Sequence, residues 1–267
     1  MLDLGKQNVL GVLVDAVDYE AAVKRVIEAA EEGRPYGVSA LAVHGVMTGV
    51  LGAEHRNRLN SLELVTPDGQ PVKWSLNKLH HCGLPDRVYG PVLMSRLLAV
   101  AEARHLPIYL YGSSDAVLAK LVPMLERRHP QLAIAAAEPS RFRALSEQER
   151  DQAVARIKAS GARLVFVGLG CPRQEVFAYE MAPHLGMPVI AVGAAFDYHA
   201  GLLAEPAQWV QQTGLQWAHR LLANPRRLWK RYLLLNPVFL GLLALQAVGL
   251  WRPNPSGVRP AHSLRPG

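Results

Sequence analysis

The sequence predicts an α/β protein built on a largely parallel β-sheet. Seven short apolar segments, rich in Val, Ile and Leu, alternate with segments whose apolar residues recur at helical spacing. This alternation is typical of parallel strands joined by crossover helices, which then cover both faces of the sheet. At 267 residues the chain is long enough to bury a full core. We therefore expect a Rossmann-like fold with helices on both faces.

Turn residues bound the predicted strands. In chain order the strands are residues 8–17, 37–45, 62–69, 107–114, 131–138, 163–170 and 188–197. The predicted helices between them are residues 18–33, 92–105, 115–129, 146–161 and 174–186. The first helix shows the usual end signals, because Asp18 can cap its start and Gly33 can end it. Pro123 and Pro183 interrupt two of the other helical patterns.

Charge divides the chain into unequal parts. The net charge is +7, and residues 206–267 hold eight of the 29 Lys and Arg residues but none of the 22 acids. We therefore expect an α/β domain (1–205), a helical, basic and apolar carboxyl-terminal appendage (206–251) and a tail (252–267). The tail is rich in Pro, Gly and Ser, a composition that predicts disorder. A near-neutral body with a cationic appendage indicates an anionic partner.

The appendage favours a membrane surface as that partner. Residues 232–251 are as long as a transmembrane span, but Asn236, Pro237 and Gln246 interrupt their apolar character. Tryptophan and leucine residues accompany the basic stretch before them, as in segments that lie on anionic membranes. An inserted helix and a helix covered by protein remain alternatives. Nucleic acid is disfavoured, because a basic arm that binds it has little need of an adjacent apolar run.

The cytoplasm is the expected location. The chain has two cysteines, Cys82 and Cys171, too few for a disulfide framework, which fits a reducing compartment. Its amino-terminal residues lack the basic, apolar and cleavage regions of a signal peptide. Together with the appendage, these features predict a peripheral protein on the inner face of the cell membrane.

The loop GLGCPRQE is a candidate phosphate site. Gly168 and Gly170 lie at the end of a predicted strand and let backbone approach a ligand closely. Pro172 suits the first turn of a helix, whose free N–H groups can bind phosphate, and Arg173 adds a positive charge. Because Arg173 stands where a dinucleotide fingerprint has its third glycine, an NAD-dependent oxidoreductase is only an alternative. A plain glycine turn, with Glu175 supporting the helix start, is another.

Other strand ends also carry polar or aromatic side chains. Gln174 and Glu175 can hydrogen-bond a sugar or a base. Asp68 in TPDG either closes a turn or accepts a proton from an attacking hydroxyl. Asp197 in VGAAFDYHAG either caps the next segment or faces a ligand, and Phe196 beside it can stack on a ring. Ligands of open parallel sheets bind beyond the carboxyl ends of the strands, so these residues are candidates for one site.

Five segments together resemble one known family, the WecG/TagA/CpsF glycosyltransferases (glycosyltransferase family 26). They occur in the family's order, as LVTPDGQPVKW, RVYGPVLM, VFVGLGCPRQEVFAYE, VGAAFDYHAG and GLQWAHRLLANPRRLWKRYL. The resemblance implies an inverting, metal-independent transfer of a sugar from a UDP-sugar to a polyprenyl-diphosphate-linked saccharide. It implies no cofactor, since the UDP-sugar is a substrate. A homo-oligomer stays open.

The resemblance also assigns catalytic roles by position. The family's proposed general base falls on Asp68. Its appendage, thought to reach the membrane and to complete the active site, covers residues 209–232. An arginine of this appendage, Arg220, Arg226 or Arg227, would then offset the charge of the leaving UDP.

The nucleotide side of the expected site is a larger set. The positions that match the family's two glycine-containing loops are Gly168, Gly170, Pro172, Gln174, Glu175, Gly193, Phe196 and Asp197. To these we add Arg173, for its charge, and Gly112, which ends the predicted strand of PIYLYGSS. No zinc-ligand spacing, P-loop or nucleophile elbow occurs in the sequence.

The chain departs from the family's pattern near the expected base and in the appendage. Ala40 and Ala42 stand where many members carry Thr and Asn, so a non-catalytic, membrane-docked scaffold is a further alternative. Gln216 replaces a Glu, and Asn224 replaces the Glu of a Glu-Pro pair. The segment AEPSRFRALS resembles members associated with exopolysaccharides. N-acetylmannosamine, its uronate and a hexose such as glucose are the candidate donor sugars.

Overall fold

A computed structural model of the protein describes residues 1–204, 218, 221 and 225–267. Its strands are β1 Asp3–Val9, β2 Val12–Val17, β3 Tyr36–Leu41, β4 Leu64–Pro67, β5 Ile108–Gly112, β6 Ile134–Glu138, β7 Leu164–Gly168 and β8 Pro188–Ala191. Its helices are α1 Tyr19–Glu32, α2 Val43–Leu51, α3 Ala53–Ser61, α4 Gln70–His80, α5 Gly90–Ala103, α6 Asp115–Arg128, α7 Glu147–Ala159, α8 Arg173–Leu185, α9 Ala195–His199 and α10 Pro225–Ala247.

Six strands form one parallel sheet in the order β4-β3-β8-β7-β5-β6. Alternate residues face opposite sides of the sheet, as β7 illustrates. Val165 and Val167 belong to a hydrophobic cluster with α2, α4, α7 and α8, whereas Leu164 and Phe166 belong to one with α1, α5 and α6. Both faces are therefore covered, as parallel sheets require. The predicted Rossmann-like α/β fold is confirmed.

Residues 8–17, predicted as one strand, belong instead to a hairpin. Strands β1 and β2 pair antiparallel in a separate two-stranded sheet. Leu10 and Gly11 form its turn with positive φ angles of 56° and 90°, which match the twist of a two-residue hairpin. The dipeptide Leu-Gly is a weak signal for such a turn. For this reason the sequence pattern predicts one strand from the apolar residues on both sides of it. Asp15 fastens the hairpin to β4 by accepting a hydrogen bond from the Val65 N–H at 2.8 Å.

Four helices, α2, α3, α4 and α9, lie where the sequence predicts none, and the segment predicted as strand 188–197 ends as a strand at Ala191, before α9 begins. The segment predicted as strand 37–45 ends as a strand at Leu41, and α2 begins at Val43. A Cβ atom at Gly45 would overlap the Leu41 side chain, so glycine allows this helix to pack against the strand that it follows. In the sequence, the same glycine reads as a strand end. Helices α6 and α8 continue through Pro123 and Pro183.

The appendage contributes α10 to the body of the protein. Phe239 on its inner side is 1% exposed and joins the cluster that contains α2 and α4. Its outer side leaves large apolar residues exposed, namely Trp229, Leu233, Leu234, Val238, Leu240 and Leu245. Among the helices that the structure describes, none has both the length and the apolar character needed to cross a membrane.

The tail, residues 252–267, follows the surface of the domain, although its composition predicts disorder. Asn60 Nδ2 donates to the Pro255 carbonyl at 2.8 Å, and Arg58 Nη2 donates to the His262 carbonyl at 3.1 Å. Both acceptors belong to the backbone, which every residue carries. Composition therefore gives no sign of these contacts.

Candidate functional site

The carboxyl ends of the parallel strands meet at one edge of the sheet, and predicted site residues lie there. Leu41 at the end of β3 pairs with Pro67 of β4, and Gly112 of β5 pairs with Gly168 of β7. Asp68 follows Pro67 directly. Strand β8 lies between β3 and β7, so the loop that begins after it reaches the same edge. This is where open parallel sheets bind ligands.

Asp68 lies partly exposed between β4 and α4. Its backbone N–H donates to the Leu41 carbonyl at 3.2 Å, which joins the loop to β3. A Cβ atom at Gly90 would lie 3.5 Å from Asp68 Oδ2 and 3.2 Å from the Val192 carbonyl oxygen. Because residue 90 is glycine, there is space beside the Asp68 carboxylate. The side chain of any other residue at this position would fill that space.

Two alanines border the same loop. The Ala40 methyl group lies 3.4 Å from the position that a Cβ would take at Gly90. The Ala42 methyl group lies 3.7 Å from the corresponding position at Gly69. The residues that replace the family's Thr and Asn therefore line the surroundings of Asp68, where methyl groups offer no hydrogen bonds.

A buried arginine lies in the loop between α4 and α5, and sequence reasoning did not single it out. The Arg87 guanidinium lies 4.4 Å from the ring centroid of Tyr89, whose N–H donates to the Tyr19 hydroxyl at 2.9 Å. Burial raises the pKa of Tyr19 to about 12, and the charges of Asp86 and Asp68 add to the rise. The segment RVYG contributed to the resemblance, but its letters carry no chemical motif that marks Arg87.

Close packing accounts for two of the predicted glycines. A Cβ at Gly168 would lie 2.7 Å from the Phe196 ring, and one at Gly112 would lie 2.9 Å from the backbone of Gly168. Gly112 also has a φ of 107°, which favours glycine. Phe196 is 1% exposed, so its ring packs inside the protein and is not available to stack on a ligand. Gly112, Gly168 and Phe196 therefore pack against one another beneath the edge of the sheet.

Gln174 and Glu175 form a buried bridge between loops. The Gly170 N–H donates to Gln174 Oε1 at 3.1 Å, and Gln174 Nε2 donates to Glu175 Oε1 at 2.9 Å. The Ser39 hydroxyl donates to the same Glu175 oxygen at 3.3 Å, and burial raises the pKa of Glu175. A Cβ at Gly193 would lie 3.1 Å from Gln174 Oε1. The two side chains thus hold protein groups, whereas the sequence predicts that they contact a sugar or base.

Arg173 begins α8 and is partly exposed. Pro172 is the capping residue before it rather than a residue of the first turn. Arg173 Nη2 contacts the Ser140 hydroxyl at 3.3 Å and the main-chain oxygen of Gly267. Ser140 donates to that same oxygen at 2.7 Å. A guanidinium and a hydroxyl therefore converge on one oxygen atom beside the glycine loop. Ser140 belongs to the segment AEPSRFRALS that contributed to the resemblance, but no chemical motif marks it.

The other predicted residues are described to different extents. Asp197 lies in the first turn of α9 and is partly exposed. Arg226 lies in the first turn of α10 with an exposed side chain. Arg220 lies outside the described residues, and only the backbone of Arg227 is described. Over the described ranges, His, Cys, Asp and Glu side chains form no group of three that could hold a metal ion.

Comparison with known protein families supports the resemblance found in the sequence. The model of the Glycosyl transferase WecG/TagA/CpsF family matches residues 7–253. The matched range contains the whole parallel sheet, α10 and every site residue predicted from the sequence.

Proposed function

The chain belongs to the WecG/TagA/CpsF family of glycosyltransferases, and we propose that it transfers a sugar from a UDP-sugar to a polyprenyl-diphosphate-linked saccharide. The observation that carries this proposal is the presence of Asp68 and Arg173 at one edge of the sheet, both partly exposed. A carboxylate can accept a proton from an acceptor hydroxyl, and an arginine at a helix amino terminus can hold a diphosphate. An inverting transfer without a metal needs a base for the acceptor hydroxyl and positive charge from the protein for the diphosphate.

Asp68 is the proposed general base. It removes the proton of the acceptor hydroxyl as that oxygen bonds to the anomeric carbon, on the face opposite UDP. The bond between the anomeric carbon and the diphosphate oxygen breaks, and UDP leaves with the electron pair. Attack from the opposite face inverts the configuration. The space that Gly90 leaves beside Oδ2 supports this role, because the hydroxyl needs room to reach the carboxylate.

The UDP diphosphate is proposed to lie over the loop from Gly168 to Pro172. The Arg173 guanidinium offsets its charge, together with backbone N–H groups of the loop other than that of Gly170, which donates to Gln174. Support comes from the main-chain oxygen of Gly267, which already accepts hydrogen bonds from Arg173 and Ser140. A diphosphate oxygen could take the same place. Gln174, Glu175, Phe196, Gly112 and Gly193 are then positioning residues, and Asp197 faces the donor.

The leaving UDP also needs charge stabilisation beyond the loop. We assign this to Arg220, Arg226 or Arg227 of the appendage, and we propose that no metal takes part. The exposed first turn of α10 supports the assignment, because the Arg226 side chain can approach a ligand from solvent.

The appendage is proposed to dock the enzyme on the inner face of the cell membrane. The exposed tryptophan, leucines and valine of α10 give an apolar surface, and the sequence around them is cationic. Such a surface suits a membrane that carries anionic lipids. Changing Leu234 and Leu240 to Glu should abolish co-sedimentation with phosphatidylglycerol vesicles. Val258→Glu, at an exposed position of the tail, is the matched control; equal loss in both would contradict docking through α10.

A panel of radiolabelled donors tests the reaction itself. UDP-N-acetylmannosamine, its uronate and UDP-glucose are each supplied with a polyprenyl-diphosphate-linked acceptor, with EDTA or with Mn²⁺. We expect transfer from one donor in EDTA, and an inverted anomeric centre in the product by NMR. A retained configuration would exclude the single displacement, and strict Mn²⁺ dependence would exclude the metal-free step. If the chain binds UDP but transfers no sugar, it is a scaffold. If it binds NAD instead of UDP, it is an oxidoreductase.

A further inference from the structure

Helices α5, α6 and α9 border a cavity of about 600 Å³. It is lined by Pro91, Val92, Ser95, Arg96, Arg128, Tyr198, His199 and Leu203. The cavity lies on the face of the sheet that α5 and α6 cover, whereas α8 and Arg173 belong to the other face. It adjoins the Asp68 loop, because Pro91 directly follows Gly90. The cavity therefore lies near Asp68, the proposed base, but on the opposite face of the sheet from α8 and Arg173, which hold the proposed donor.

Two guanidinium groups border this cavity. Both Arg96 and Arg128 are exposed side chains. Arg96 lies 4.5 Å from the ring centroid of Tyr19, and Arg128 Nη1 lies 3.4 Å from His199 Nδ1. Over the described ranges, neither guanidinium is within ion-pair distance of a carboxylate. Arg104, just after the same helix as Arg96, differs, because it pairs with Glu31 at 2.7 Å. The cavity therefore carries positive charge that described acids do not neutralise.

His199 fixes the position of one of these cations. It is 8% exposed, and its Nε2 lies 3.0 Å from the Pro91 carbonyl oxygen, so Nε2 carries the hydrogen. Its Nδ1 is then the acceptor for Arg128. Burial, more than any other cause, lowers the pKa of His199, so the neutral ring orients the guanidinium without repelling it. Arg128 is thereby held at the cavity although it extends from the end of α6.

The remaining lining identifies the class of ligand. Ser95 and Tyr198 add hydroxyl groups, and Pro91, Val92 and Leu203 add apolar surface. Two guanidiniums with hydroxyl groups suit phosphate oxygens, and an apolar wall suits a hydrocarbon joined to them. We propose that this cavity binds the diphosphate of a lipid-linked acceptor, with the start of its hydrocarbon chain on the apolar wall. This assignment to the acceptor rests on the proposed function.

Calorimetry with the full-length chain tests the cavity without relying on catalysis. Inorganic pyrophosphate is titrated in saturating UDP, which fills the donor loop. Each charge-assisted contact contributes about tenfold in affinity, so Arg96→Gln and Arg128→Gln should each weaken binding about tenfold, and both together more. Arg127→Gln is the matched control, since Arg127 precedes Arg128 on α6 but donates to the Pro123 carbonyl at 3.1 Å. Equal affinity in the double variant, or loss of pyrophosphate binding in UDP, would overturn the site.

Two further measurements decide whether the phosphate belongs to a lipid. Farnesyl diphosphate should bind at least about tenfold tighter than pyrophosphate, because the apolar wall removes hydrocarbon from water. Equal binding of the two would overturn the assignment to a lipid. In the transfer assay, Arg128→Gln should raise KM for the lipid acceptor about tenfold and leave KM for the UDP-sugar within about twofold. A rise confined to the UDP-sugar would also overturn it. If the native chain transfers no sugar, the proposed function fails, and the pyrophosphate titration still decides the cavity.

Discussion

Asp68 and Glu175 both lie at the same edge of the sheet, but their surroundings are opposite. Asp68 is partly exposed beside the space that Gly90 leaves. Glu175 is 1% exposed and accepts hydrogen bonds from Ser39 and Gln174. A carboxylate that reaches solvent can act on a substrate, whereas a buried one that holds its neighbours stabilises the backbone. Both belong to motifs of the same family, so a motif alone does not separate chemistry from support.

Replacing Asp68 should have the largest effect. Asp68→Asn keeps the shape but removes the proton acceptor, so kcat should fall about 10²–10⁴-fold, the usual contribution of a general base. The melting temperature should not change, since the side chain is partly exposed. Asp86→Asn, an exposed neighbour, is the control in the same transfer assay and thermal scan. Full activity in Asp68→Asn would remove it as the base.

Arg173 should show a smaller effect, confined to the donor. Hydrogen bonds to charged groups contribute about 1.5–3 kcal/mol, so Arg173→Gln should raise KM for the UDP-sugar about tenfold or more. Arg141→Gln is a close control, because the charges of Arg141 and Arg173 both reach Tyr111. Calorimetry with UDP measures the same loss directly. Equal UDP affinity in the native chain and Arg173→Gln would place the diphosphate elsewhere.

Glu175 should affect stability rather than donor binding. Glu175→Ala leaves the Ser39 hydroxyl and the Gln174 amide without their acceptor, which should lower the free energy of unfolding by about 1–3 kcal/mol. Glu126→Ala, at an exposed position of α6, should change it by less than about 0.5 kcal/mol. Urea unfolding followed by circular dichroism measures both. A stability like that of the native chain, with lost UDP binding, would instead make Glu175 a ligand contact.

The pH dependence of stability gives the smallest effect and the sharpest test of burial. Burial raises the pKa of Glu175 above its ordinary 4.5, so the folded state holds a proton that the unfolded state releases. The free energy of unfolding should therefore fall as pH rises from about 4.5 through the raised pKa. Glu175→Gln cannot release a proton, so the native chain should lose stability relative to this variant over that interval. Parallel pH profiles would show that the Glu175 pKa is ordinary.

The sequence predicts the sheet better than its surroundings, for physical reasons. Buried parallel strands are continuous apolar runs, so their positions follow from local composition. The ends of β4 and β7 lie beside the turn signals Asp68-Gly69 and Gly168, but β3 and β8 end before the predicted residues. The hydrogen bond from Ser39 to Glu175 joins residues 136 positions apart, and no local pattern contains it. The tail is a further example, because the groups that accept hydrogen bonds from Asn60 and Arg58 are backbone carbonyls.

The same limit applies within the candidate site. The resemblance identifies which positions matter, but exposure decides which of them can touch a substrate. Phe196 and Gln174 carry suitable chemical groups in the sequence, yet both are buried in the structure. Arg87 and Ser140 become visible only when loops distant in the sequence meet at the sheet edge.

The hairpin of β1 and β2 works as a spacer. At one end, Gln246 near the end of α10 accepts a hydrogen bond from the Leu10 N–H at 3.0 Å. At the other, Asp15 holds Val65 in β4, the strand that leads directly to Asp68. The exposed face of α10 and the carboxylate are therefore held at a set distance and angle. Any flat surface on which α10 rests would meet Asp68 at one fixed height, and that height is set by the hairpin together with the packing of Phe239 against α2 and α4.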